Sequence, residues 1–149
     1  MPRLRPAHNR DFEVITEIWH LSASLPGVGP PTMPSRQTLR ERIDSEIAEG
    51  WSITLATDSD VVVGFLATKP SVKVLDQLFV IPKAIGSGTG GLLFAHAKQE
   101  MPNGFALYTA ATNLSARAFY ERAGMLSTHE SAHPRTGHPV VWYEWVPDQ

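Results

Sequence analysis

Apolar residues recur along this chain with two different periods, and the switches between them mark out its elements. Leu4 to Ala7 reads as a short edge strand, because Pro6 lacks the amide donor an interior strand needs. After a turn at residues 8–10, Val14, Ile15, Ile18 and Trp19 share one face at helical spacing, with Asp11 as the expected cap. Proline and glycine punctuate residues 26–34 and end that helix. Leu39, Ile43 and Ile47 then recur every four residues, predicting a second helix that stops at Gly50, with Ser35 and Thr38 competing to cap it.

The period then drops to two. Trp51–Thr57 and Val61–Lys69 flank a turn at Asp58-Ser59-Asp60, and Pro70-Ser71 leads into a third strand, Val72 to Val80. There Val72, Val74, Asp76, Leu78 and Val80 are expected on one face, and Lys73, Leu75, Gln77 and Phe79 on the other. Both sets contain apolar residues, so both faces of the sheet should be covered. A glycine-rich passage, Pro82 to Gly91, leads into a helix carrying Leu92, Leu93, Ala95 and Met101. Phe105–Ala110 returns to strand, Asn113 can cap a helix carrying Ala116, Phe119 and Tyr120, and Gly124 ends it. Met125–Glu130 and Val140–Val146 are the last strands. The expected fold is α/β, a mixed central sheet of about seven strands flanked by about four helices.

Composition narrows the function. With 149 residues, 42% of them hydrophobic, residues 1–149 suit a single domain with one sizeable core. A net charge of -2 gives no basic coat for nucleic acid or anionic membrane. The absence of cysteine removes disulfides, thiolate nucleophiles and cysteine-built metal sites. Val61 to Ala67 is far shorter than the roughly 18 apolar residues of a membrane span, and the opening segment has no apolar stretch of a signal peptide. A cytoplasmic protein is the expectation. His129, His133 and His138 lack zinc-site spacing and are interrupted by Pro134 and Gly137, so no metal is expected. They read as a hairpin end near the substrate or a partner subunit.

Gly86-Ser87-Gly88-Thr89-Gly90-Gly91 carries the strongest chemical signal. It lies between a strand and a helix, where free amides favour a phosphate or pyrophosphate. A ligand-free tight turn is the plain alternative. A Walker loop fails, because no lysine follows the glycines. Gly86, Gly88 and Gly91 match a dinucleotide fingerprint in spacing, but the strands before them form a meander and no acidic residue ends the next strand. Ser87 lacks the spacing of a nucleophile elbow.

Together with Leu78-Phe79-Val80-Ile81-Pro82 and Asn113 to Met125, the glycine turn resembles the GCN5-related N-acetyltransferase (GNAT) superfamily, from roughly Trp51 to Gly124 and more weakly to Trp145. The resemblance implies the acyl-CoA N-acyltransferase fold and acetyl-CoA as acyl donor, held where two central strands splay apart. It implies that the backbone of Leu78, Phe79 and Val80 pairs with the pantetheine arm, and that Ile85, Gly86, Ser87, Gly88, Thr89 and Gly90 form the pyrophosphate loop. One departure stands out: Ile85 occupies the position where the family pattern begins with Gln or Arg. The matching Asn113 would bond the cofactor arm as well as cap its helix. Tyr120, seven residues on and on a similar face, resembles the general-acid tyrosine that protonates the departing thiolate. Its core-packing role remains the simpler alternative.

Asp76 stands where an acidic residue often occurs in similar enzymes, as a base for the amine, directly or through water, or as a holder of the ammonium group. His20 is a second candidate at the substrate wall, with a plain surface histidine as its alternative. Trp19, Met33 and Trp51 could shape an apolar pocket. The expected activity is transfer of acetyl from acetyl-CoA to a primary amine, by preference a small molecule, through a tetrahedral intermediate and without a metal. Two alternatives stay open: a CoA-responsive binding module with weak or no catalysis, and acetylation of a protein amine. The resemblance also allows a homodimer.

Overall fold

A computed structural model describes residues 1–147. Its elements run β1 (Arg3–Pro6), α1 (Phe12–Ala23), α2 (Arg36–Ala48), β2 (Ser52–Asp58), β3 (Val61–Lys69), β4 (Val74–Val80), α3 (Thr89–Glu100), β5 (Phe105–Ala110), α4 (Leu114–Arg122), β6 (Leu126–Ala132) and β7 (Pro139–Trp145). The strands form one mixed sheet in the order β1-β2-β3-β4-β5-β7-β6. All neighbours are antiparallel except β4 and β5, which run parallel. The proline-bearing β1 lies at an edge, where its missing donor costs no ladder bond.

Helices cover both faces, as the two-sided apolar pattern predicts. On one side α3 and α4 bury Leu66, Leu93, Phe94, Tyr120 and Tyr143. On the other, α1 and α2 bury Ile15, Trp19, Leu39, Ile43, Trp51 and Phe65. Ser35 wins the cap of α2, its hydroxyl accepting the Thr38 amide at 3.1 Å. Among the described residues, no helix is long and apolar enough to cross a membrane.

Two local expectations are overturned. Asp11 does not cap α1 with its side chain. Its carboxylate instead accepts both Arg5 Nη1 and Nη2 at 2.9 Å and the His8 amide at 2.8 Å. The Arg5 hydrogen bonds hold its pKa down at about 2, and the pair ties β1 to the start of α1.

The second correction concerns β4. Ala67 of β3 pairs with Gln77, but Thr68 pairs with Leu75, so Asp76 is the extra residue of a β-bulge. The bulge breaks strict alternation. Leu75 packs in the α3–α4 core with Leu78 and Val80 beside it, whereas Asp76 turns to Trp51 on the α1–α2 side. A bulge also bends its strand, and β4 leaves β5 after a single register pair, Val74 with Ala106.

Candidate active site

The parting of β4 from β5 leaves main-chain groups without a neighbouring strand. Ile81 N–H donates to Val63 C=O at 2.8 Å, which fixes the antiparallel alternation. Residues 77, 79 and 81 turn their polar groups towards β3, so the N–H and C=O of Leu78 and Val80 face the gap. Leu78, Phe79 and Val80 are half-buried there. Half-buried backbone groups of this kind need a partner.

Beyond the gap lies the glycine loop. Gly86 and Gly88 adopt φ of 88° and 90°, and a Cβ on either would meet nothing within 4 Å. These positions favour glycine for backbone conformation rather than for space. Gly88 precedes α3, and its carbonyl takes the Leu92 amide. The first-turn amides of Thr89, Gly90 and Gly91 have no backbone partner among the described residues. Ser87 Oγ donates to Ala84 C=O at 2.5 Å and lies 2.8 Å from Thr89 Oγ1, which braces the turn. A Cβ on Gly90 would lie 3.4 Å from the Phe119 ring and 4.0 Å from Val80 Cγ2, so α3 begins hard against the end of β4. Ile85 is 67% exposed and projects no polar group into this loop.

A cavity of about 200 Å³ opens at the inner end of the gap. The α4 helix supplies Asn113, Ala116 and Tyr120, which its pitch stacks on one face. Asn113 Oδ1 accepts the Ala116 amide at 3.2 Å and Nδ2 reaches Thr109 Oγ1 at 3.4 Å, so the residue is both cap and cavity wall. Tyr120 is 7% exposed and packs against Phe94, Phe119 and Tyr143. Burial pushes its phenol well above the usual tyrosine range. The hydroxyl makes no protein hydrogen bond among the described residues, yet the one fully buried unpartnered side-chain atom among them is Ser22 Oγ. The Tyr120 hydroxyl is therefore reached from the cavity that the residue lines.

Asp76 and Leu78–Phe79 line the same cavity, as do Trp19, Met33 and Trp51. Trp51 Nε1 donates to Asp76 Oδ2 at 2.7 Å, and Lys69 Nζ stands 4.0 Å from the same oxygen. Glu46 takes Lys69 Nζ at 3.0 Å. Burial raises the Asp76 pKa above the ordinary aspartate value, against the Trp51 hydrogen bond, and the nearby Glu46 charge adds to the rise. Val80 and the loop from Ile85 to Gly90 lie outside this cavity, at the far end of the gap. His20 lies outside it too, near the end of α1, where Ser24 N and Oγ bond its carbonyl.

Several lining residues escaped the sequence reading: Arg42 and Glu46 of α2, Tyr108 and Thr109 of β5, and Arg135 of the β6–β7 turn. His133 and His138 stack at the hairpin end and also line the cavity. His133 Nδ1 accepts the amides of Arg135 and Thr136, which leaves the neutral ring's proton on Nε2, 3.4 Å from the Tyr108 hydroxyl. Burial, then His138, Arg135 and Arg42, lowers its pKa. With one nitrogen occupied and the other protonated, this ring positions its neighbours rather than accepting a proton. Arg117 is likewise committed within the protein, to Tyr143 Oη at 3.2 Å and Ala111 C=O at 3.1 Å.

The chain matches the family model described as an acetyltransferase (GNAT) domain over residues 28–146. It belongs to that family. Among solved structures it is similar to apo-form YjaB from Escherichia coli, at 23% identity and a TM-score of 0.77, with 99% of each chain covered. It is also similar to the ribosomal-protein-S18-alanine N-acetyltransferase from Escherichia coli, at 16% identity and a TM-score of 0.76, covering 100% of this chain and 96% of that one. A third is a phosphinothricin acetyltransferase from Sinorhizobium meliloti, solved in complex with AcCoA. It shows 17% identity and a TM-score of 0.74, with 98% of this chain and 88% of that one covered. At these identities the likeness establishes the fold. No curated protein matches the chain significantly.

Proposed function

We propose that residues 1–149 form a single acetyl-CoA-dependent N-acetyltransferase domain, moving acetyl to the primary amine of a small molecule by direct attack through a tetrahedral intermediate. One observation carries the reading: the open main chain of Leu78 and Val80 runs beside a cavity into which a buried phenol opens. The residues fit acetyl-CoA. Leu78 and Val80 offer donors and acceptors for an extended amide-bearing arm, and the amides of Thr89, Gly90 and Gly91 offer donors for its pyrophosphate. When bound, the thioester supplies an already activated acyl group, so no enzyme nucleophile is required.

Asp76 attracts the arriving ammonium group and, directly or through a water, takes its proton. A carboxyl with a raised pKa is a better base than an ordinary aspartate. The freed amine forms the new C–N bond, the carbonyl electrons move to oxygen, and a main-chain amide of the Leu78–Val80 segment stabilises that oxyanion. On collapse the C–S bond breaks and the sulfur takes the Tyr120 proton. The strongly raised pKa of Tyr120 keeps the acid protonated at neutral pH. The amide nitrogen loses its remaining extra proton to the phenolate, which restores Tyr120.

Calorimetry with acetyl-CoA and thiol release across a broad panel of amines test this. Saturable binding with transfer to small amines is the expected result. Tight binding with no transfer to any amine would replace the enzyme with a CoA-responsive binding module. Faster transfer to peptide amines would move the acceptor to protein.

A further inference from the structure

The geometry points to an acceptor that carries an anionic group as well as its amine, with Arg42 and Arg135 holding the anion while Asp76 receives the amine. This inference rests on the acetyl-transfer reading above. Arg42 comes from α2 and Arg135 from the β6–β7 turn, far apart in sequence, and both line the cavity that holds Asp76 and Tyr120. Neither has a carboxylate within salt-bridge distance among the described residues; Glu46, one turn along α2 from Arg42, is held by Lys69 at 3.0 Å. Burial lowers the Arg42 pKa, and the like charge of Arg135 lowers it further, against a smaller opposing pull from Glu46. Two cations brought together with no carboxylate at contact distance repel each other, and an anion between them relieves that cost.

The same cavity also carries acidic groups. Asp76, Glu46 and the more exposed Glu49 share one close cation, Lys69, so negative charge is left over to face an ammonium group. A small cavity lined by both basic and acidic groups matches a zwitterionic amine, such as an amino acid or an aminoalkyl phosphonate. A simple alkylamine satisfies only half of it. A polycation is opposed by both arginines. The guanidinium fork suits the paired oxygens of a carboxylate or a phosphonate, so the shared chemistry is a multi-oxygen anion.

Thiol release with acetyl-CoA is measured for ω-amino acids from glycine to aminohexanoate, their methyl esters, and the matching ω-aminoalkyl phosphonates. At least one acid should exceed its ester in kcat/KM by about tenfold or more, the scale of a charge-assisted hydrogen bond. In Arg42→Ala, Arg135→Ala and the double variant, the acid-to-ester ratio should fall stepwise towards one, mainly through KM. Arg42→Lys or Arg135→Lys should keep part of it. A phosphonate outranking the carboxylates identifies the larger anion as the ligand and supports the basic pair equally. Acids and esters acetylated alike, or a ratio unmoved in the double variant, overturns the inference and leaves acetyl transfer standing. A peptide preferred over every small zwitterion also overturns it. If no amine at all is acetylated, the acetyl-transfer reading fails. Calorimetry of the same acids and esters then decides the anion site separately, and equal binding of acid and ester refutes it.

Discussion

Along β4 and the loop after it, the wall of the gap consists of main-chain atoms: the N–H and C=O of Leu78 and Val80 and the first-turn amides of α3. Across the cavity the wall consists of side chains, with Arg42 and Glu46 from α2, Trp51 just before β2, Tyr108 from β5, and His133 and Arg135 from the last hairpin. The two halves answer to different constraints. A main-chain wall presents the same atoms for any sequence that forms the strand and the turn. A side-chain wall changes with every substitution. Under the proposed function, the first half therefore serves the acyl donor and the second the acceptor.

The largest effect should come where the halves meet. Tyr120→Phe removes only a hydroxyl that has no protein partner among the described residues, so folding should be nearly unaffected. Loss of a general acid costs on the order of 100- to 1,000-fold in turnover. We expect kcat to fall by that amount, with the dissociation constant of acetyl-CoA within about threefold of the parent. Unchanged turnover in a single-turnover experiment, where chemistry is isolated, would leave Tyr120 as core packing alone.

Asp76→Asn probes the acceptor half, with an expected loss in kcat/KM of roughly 10- to 100-fold, the worth of a hydrogen bond to a charged group. The parent's kcat/KM should decline as pH falls through a value above the ordinary aspartate range, as the carboxyl takes up its proton, and the Asn variant should lack that limb. Stability should move the other way. The folded-state pKa is raised, so the stabilising contribution of Asp76 is present in acid and is lost as pH rises through that value. At neutral pH Asp76→Asn should melt above the parent, with the difference shrinking on acidification. A variant that melts lower at neutral pH would make Asp76 a structural partner of Trp51 rather than a functional charge.

The contrast between the two halves also explains what the amino-acid pattern reveals. Strand and turn periods expose the meander, the glycine loop and the Asn113–Tyr120 helix face, because these depend on local chemistry. The bulge at Asp76 is hidden, since Leu75, Leu78 and Val80 are all apolar and one inserted residue moves a side chain to the other face without disturbing composition. Arg42 and Glu46 look like ordinary solvated charges beside Ile43, and only the placement of α2 over the bulged strand brings them to the cavity. Asp11 misled for a similar reason: a nearby strand's Arg5 takes a carboxylate that local rules assign to the helix amides. Charges recruited across elements carry no local signature.

Gly88→Ala tests the main-chain half. A methyl there meets no atom within 4 Å, so the change acts through φ of 90° alone. The left-handed backbone costs a non-glycine residue about 1–2 kcal/mol, which the loop relieves by shifting its amides. The KM for acetyl-CoA should rise about tenfold while kcat and the KM for the amine stay close to the parent. A drop confined to kcat would place this loop in the chemistry rather than in cofactor binding.

The smallest effect should follow Ile85→Arg, which adds a side chain to the half built from backbone. Ile85 sits in extended backbone at φ of -64° and ψ of 133°, so arginine is accommodated without strain. Its guanidinium would lie at the exposed rim of the loop, where water and salt screen it. Exposed ion pairs contribute about 0.2–1 kcal/mol, so the KM for acetyl-CoA should fall by no more than about fivefold. Raising ionic strength towards about 1 M should erase the gain, because the Debye length shrinks to about 3 Å. Gln at the same position, without charge, should give less and keep it in salt. An improvement of a hundredfold would mean that the amides of Thr89, Gly90 and Gly91 do little by themselves, and that the donor half depends on a side chain this protein lacks.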